Sequence, residues 1–175
     1  MQELFKKYRH AILFIVKFFG IYAVLTFGYN RYLDWYEGAP DPVTILVAKQ
    51  SNKLINFFGY QGSVEPHDAE PTMKLIVNEK YVGRVLEGCN SISVLILFAT
   101  FVLSFTGRLK NSIWFVLVGS VIIYLTNVFR VAVIGIALYK WPQYQEFLHQ
   151  ILFPAMIYGM VFLFWMLWVN KFSKS

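Results

Sequence analysis

Residues 112–139, SIWFVLVGSVIIYLTNVFRVAVIGIALY, form a run of 28 residues with a single charge, Arg130. A helix of that length, rising ~1.5 Å per residue, reaches ~42 Å and exceeds the ~30 Å hydrocarbon core of a bilayer. Two further apolar runs, 11–29 and 147–169, are long enough to cross, and a shorter one covers 89–106. Of 175 residues, 57% are hydrophobic, 19% aromatic and only 15% charged, with a mean hydropathy of +0.50. A soluble interior does not hide that much apolar surface. The expected fold class is therefore all-α integral membrane, a single membrane domain over 1–175 with about four transmembrane helices. Its extracytoplasmic segment, 30–88, is expected to carry an amphipathic helix and a short β-hairpin. The net charge of +6 is read through its distribution between loops, and no nucleic-acid partner is expected.

The N-terminal flank carries Lys6, Lys7 and Arg9 before the first apolar run, and no small-residue cleavage site follows Thr26-Phe27-Gly28-Tyr29. The first span therefore reads as a retained helix. Lys17 interrupts it two turns in, close enough to the surface to snorkel. Beyond it, Pro40 and Pro42 break the helix. Val43, Leu46, Val47, Leu54, Phe57 and Phe58 then recur at helical spacing around a polar middle, Lys49 to Lys53. This predicts an amphipathic helix over 43–60, lying on the membrane or packed on the bundle. Residues 62–71 read as a polar connection whose Glu65, His67, Asp68 and Glu70 make an acidic loop without metal-ligand spacing. Met73-Lys74-Leu75-Ile76-Val77 and Tyr81 to Leu86 flank Asn78-Glu79-Lys80 and predict a hairpin. Its second strand runs into Glu87-Gly88-Cys89-Asn90-Ser91, the junction at which the next apolar run begins.

Charge distribution orients the chain. With the N-terminus in the cytoplasm, four spans place 107–111 and the C-terminus inside. Inside segments then hold Lys6, Lys7, Arg9, Arg108, Lys110, Lys171 and Lys174 against Glu3 alone. The 30–88 segment holds six basic and eight acidic residues. This pattern follows the positive-inside rule and puts the hairpin and Cys89 on the extracytoplasmic side.

Cys89 is the only cysteine, which excludes an intrachain disulfide and leaves no zinc-type spacing. Taken alone it reads as packing, and His149 alone reads as an interfacial polar residue. Arg130, however, lies 18 residues past Ser112, ~27 Å along the helix, at the outer boundary of the core. Cys89 opens the second span from the same side, and His149 heads the last one. Nine mostly apolar residues continue past Arg130, and a charge inside such a run is costly unless it faces a partner. Asn127 precedes it by three positions and is placed to hold the guanidinium. A thiol, a guanidinium and an imidazole at one depth suit thiol acyl transfer. The cation favours the thiolate or the oxyanion, and the imidazole moves the proton. Glu87 and Asn90 are the candidates for orienting the imidazole; no metal and no cofactor is expected.

At these residues the sequence resembles the exosortase/archaeosortase family of membrane-embedded transpeptidases, most closely its short exosortase-F type. The resemblance rests on Cys89 opening a span, on Asn127-Val128-Phe129-Arg130 as an Asn-x-x-Arg element, and on His149 heading the last helix. It covers 88–169, whereas the N-terminal third matches in layout only. The resemblance implies a Cys89/Arg130/His149 site that cleaves a C-terminal sorting signal by way of a thioester and transfers the new carboxyl end to an acceptor. It implies substrates that are exported proteins ending in a short motif, a transmembrane helix and a basic tail. The expected setting is the bacterial cytoplasmic membrane, multi-pass, with the site facing the periplasm and membrane lipid around it. Many relatives carry Cys-Ser-Gly, where this chain has Cys89-Asn90-Ser91, and its small size leaves room for a small membrane partner protein. The alternative is a non-enzymatic assembly or anchoring subunit of a surface-export system. Redox cycling within the chain is disfavoured by the absence of a resolving cysteine.

Overall fold

The computed structural model describes residues 2–36, 38–105 and 109–172, with the backbone alone at 2–7, 149, 153 and 172. The basic side chains expected at Lys6, Lys7, Arg108 and Lys174, and Glu37, lie outside the described residues.

Three helical segments are long and apolar enough to cross a membrane: Tyr8–Asp34, Leu109–Lys140 and Pro142–Lys171. The first belongs to α1 (Gln2–Asp34), which extends beyond the expected 11–29 at both ends. Lys17 lies on its exposed face, as snorkelling requires. α1 packs on α3 (Ile92–Ser104) through Phe14 against Phe101 and Phe105. At 13 residues, α3 rises only ~20 Å, less than a full crossing. It starts three residues later than the expected 89, because Glu87–Cys89 forms a separate 3-10 turn. α4 (Leu109–Lys140) is followed by a short 3-10 turn (Pro142–Tyr144) and α5 (Gln145–Phe147). A π-helical segment (Leu148–Leu152) leads into α6 (Phe153–Leu167), and a second one (Trp168–Phe172) closes the chain. Phe98, Val102, Ile123, Val161 and Trp168 form the core where α3, α4 and α6 meet.

Between α1 and α3 the chain builds α2 (Pro42–Phe57) and an antiparallel sheet in the order β1 (Gly62–Pro66), β2 (Met73–Val77), β3 (Lys80–Val85). The expected hairpin is β2–β3. Its turn residues Asn78 and Glu79 both have positive φ, 48° and 65°, the signature of a tight primed turn. Lys80 lies within the strand rather than in the turn. β1 occupies part of the expected polar connection: its Ser63 and Glu65 face solvent, and Pro66 is tolerated because β1 is an edge strand. The acidic loop is bound to the sheet, with Asp68 paired to Lys74 at 2.5 Å and Glu70 paired to Arg84.

α2 buries Thr44, Val47, Ala48, Ser51 and Ile55, whereas Leu46, Phe57 and Phe58 are exposed. The small and hydroxylated face allows close approach to α4, where Ser51 Oγ donates to the Val128 carbonyl at 3.1 Å. Tyr124 also donates to Gln50 Oε1 at 2.9 Å. The apolar run past Arg130 is likewise not a lipid face on all sides. With 32 residues, α4 is ~48 Å long, ~18 Å more than a hydrocarbon core. The excess is covered: Ala132 packs with Ile55, Leu75 and Val77, while Ile134 and Leu138 pack with Val82 and Leu148. The last turns of α4 are thus the core of the small sheet domain.

Candidate active site

The Cys89 turn hangs between β3 and α3. Val85 anchors its near side in a buried cluster with Val47, Ala48, Met73, Val128 and Val131, and half-buried Cys89 packs against that cluster. The turn closes through Cys89 N–H to Leu86 O, 2.7 Å, and Asn90 N–H to Glu87 O, 3.2 Å. Ser91 follows with φ of 69°, a left-handed conformation that redirects the chain into α3.

Asn90 explains how that kink is held. It is fully buried, and its Oδ1 accepts the Ile92 N–H at 2.9 Å, satisfying the first amide of α3. Its Nδ2 donates to Tyr29 Oη on α1 at 2.8 Å and to Thr44 Oγ1 on α2 at 3.3 Å. Both amide hydrogens and the carbonyl are thereby used. Thr44 Oγ1 in turn donates to Asp41 Oδ2. Asp41 caps α2 by accepting Val43 N–H and Thr44 N–H at 2.9 and 3.2 Å, and it also accepts from Tyr32 Oη at 3.4 Å. One buried network therefore fixes three helices behind the residue that follows the thiol.

α4 supplies the other side. Asn127 is buried, and its Nδ2 donates to the Cys89 carbonyl at 2.6 Å. The amide expected to hold the Arg130 guanidinium thus holds the cysteine backbone instead. Arg130, one turn on, is half-buried, and its Nε is buried with no hydrogen-bond partner among the described residues. His149 lies in the π-helical segment Leu148–Leu152, and its side chain lies outside the described residues. Its neighbour Leu148 packs against Ile134 and Leu138, one and two turns beyond Arg130. Glu87, exposed, opens the Cys89 turn. α4 thus meets the Cys89 turn at Asn127, carries Arg130 one turn on, and meets the His149 segment at Ile134 and Leu138.

Among the described residues no group of three His, Cys, Asp or Glu is placed to hold a metal ion. Tyr29, Thr44 and Asp41 were not singled out from the sequence. Asp41 alone carried a local signal, an N-cap side chain before Pro42 at the first helical position.

With this geometry in place, the comparisons with known proteins add one match. The family model for transmembrane exosortases matches residues 8–169. Neither the curated proteins nor the solved structures gave a match. The matched region takes in α1, the sheet domain, the Cys89 turn, α4 and nearly all of the last helical segment, and the chain belongs to the transmembrane exosortase family.

Proposed function

We propose that this chain is a membrane-embedded cysteine transpeptidase or protease. It acts at the extracytoplasmic face on exported proteins that end in a motif, a transmembrane helix and a basic tail. The observation that supports this reading is that Asn127 secures the Cys89 carbonyl one turn before Arg130, in a member of the exosortase family. His149 takes the thiol proton as the sulfur attacks, and Arg130 supplies the positive charge for the oxyanion. Attack on the scissile carbonyl forms the S–C bond and places negative charge on the oxygen. A cation there contributes about 10²–10³ in rate, the size of one oxyanion donor. Collapse breaks the C–N bond, His149 returns the proton to the leaving amine, and a thioester remains on Cys89. Water or an acceptor nucleophile then displaces the thiolate, giving hydrolysis or transfer.

Separate Cys89→Ala, Arg130→Ala and His149→Ala strains are expected to accumulate exported proteins at full length. Normal processing in the Cys89→Ala strain refutes the reading. The packing of Cys89 against Val47, Val128 and Val131 favours a second reading, a non-enzymatic anchoring subunit in which the thiol is core. On that reading Cys89→Ser leaves both function and stability nearly unchanged.

A further inference from the structure

Two cavities lie end to end along α1. One, of about 410 Å³, is walled by Asp34, Tyr36, Asp41, Pro71 and Glu87. The other, of about 250 Å³, lies between α1 and α3 and is walled by Tyr22, Thr26, Ser93 and Ile96. Asn30, Leu33 and Glu87 line both, which makes them one groove. From Tyr22 to Asp34 the groove follows α1 for ~18 Å. That is the length of about five or six extended residues at ~3.3 Å each.

The groove borders the Cys89 turn. Glu87 lines both halves and Gly88 lines the inner one, where the absence of a side chain permits close approach of another backbone. Its walls also connect to the residue after Cys89. Tyr29, in the inner half, hydrogen-bonds Asn90 directly, and Asp41, in the outer half, reaches Asn90 through Thr44.

Charge selects among occupants. Three carboxylates, Asp34 (paired with Arg31 at 3.5 Å), the buried Asp41 and the exposed Glu87, and among the described residues no lysine or arginine, line the outer half, although the whole chain carries +6. An anionic lipid headgroup is repelled there and a cation attracted. Away from the shared Asn30 and Glu87, hydroxyl and aliphatic side chains line the inner half.

We propose that this groove seats an extended segment of about five or six residues of the exported polypeptide, beside the bond that Cys89 opens, with a basic residue at the carboxylate end. The proposal rests on the transpeptidase reading above. It is tested by placing photoreactive p-benzoylphenylalanine at Asn30 in the Cys89→Ala protein, in membranes of the producing cell. The control carries the same group at Tyr158, which is 58% exposed on α6. Illumination is expected to crosslink Asn30, and not Tyr158, to exported proteins. The crosslinked residues should fall within about six residues of the point where those proteins are cut when Cys89 is present. In the enzyme with Cys89 intact, Asp34→Asn is expected to raise KM by about 2- to 5-fold with kcat unchanged, the scale of one solvent-accessible ion pair. Crosslinks confined to lipid, crosslinks remote from the cut, or equal capture at Tyr158 overturn the proposal. If cutting still requires Cys89, the transpeptidase reading survives that failure; if cutting proceeds without Cys89, the reading itself fails.

Discussion

Replacing Asn90 with alanine removes the side chain on which α1, α2 and the start of α3 all depend. Loss of its Oδ1 takes the acceptor from the Ile92 N–H, worth about 1 kcal/mol. Loss of Nδ2 removes the bonds to Tyr29 and Thr44, each contributing about 0.5–1.5 kcal/mol net. The site is fully buried, so the vacated space is not simply filled, and the three losses share one network and do not add independently. A destabilisation of about 3 kcal/mol is expected, equivalent to ~6–12 °C in apparent Tm for a chain of this size. Asn90→Asp keeps the acceptor but loses both donors and buries a charge close to Asp41, so it is expected to be no better than alanine. The assay is thermal unfolding of purified protein in detergent, with maleimide labelling of Cys89, the only thiol, as a second readout. Asn90→Ala is expected to speed labelling as the turn loosens. A Tm within about 1 °C of the parent protein, together with an unchanged labelling rate, refutes the reasoning.

Other consequences are as direct. A Cβ at Gly119 would stand 2.5 and 2.6 Å from two atoms of the fully buried Phe98 ring, so Gly119→Ala is expected to cost about 1–3 kcal/mol by overpacking. An unchanged Tm contradicts it. Ser51→Ala removes the bond to the Val128 carbonyl, which keeps its helical partner within α4, a loss of about 0.5–1.5 kcal/mol that the same melt detects. In the sheet domain, the hydrogen bond from Lys74 lowers the Asp68 pKa, and the same bond raises that of Lys74. The Asp68 contribution is therefore present above its unfolded pKa and lost as pH falls through the depressed folded value. The Lys74 contribution is lost as pH rises through its elevated value. Both groups are exposed, so Asp68→Asn, which removes the partner of Lys74 as well, is expected to flatten the acid and the alkaline limbs of the stability curve, each slightly; a large change contradicts the assignment.

Local chemistry made some of this chain legible before its structure and hid the rest. Asn78-Glu79-Lys80 between two apolar segments announces the hairpin, although the turn itself is Asn78-Glu79, both with positive φ, and Lys80 already belongs to the strand. Asp41-Pro42 carried the start of α2 in the same way. Hydropathy, by contrast, does not distinguish a helix wrapped in lipid from one wrapped in protein. The run past Arg130 belongs to a helix long and apolar enough to cross a membrane, and hydropathy gives no sign that Leu75, Val77 and Val82 pack against part of it. On α2 the apolar spacing puts Leu46 and Phe57 on a face that either lies on the membrane or packs on the bundle, and both are exposed. The residues that pack are Thr44, Ala48 and Ser51, whose small size permits helix contact. Arg130 and Cys89 stood out as a lone charge and a lone thiol. The bonds of Asn90 span 46 and 61 residues of sequence, and no periodicity or spacing encodes a partnership that distant.

The central claim is that Cys89 carries an acyl group from an exported protein. Its most direct measurement is mass spectrometry of the Cys89 peptide from membranes quenched at low pH, with and without hydroxylamine. The account predicts a polypeptide joined to Cys89 through a hydroxylamine-labile bond, absent in Cys89→Ala and accumulating when the acceptor is depleted. An unmodified Cys89 in membranes where exported proteins are being cut contradicts it.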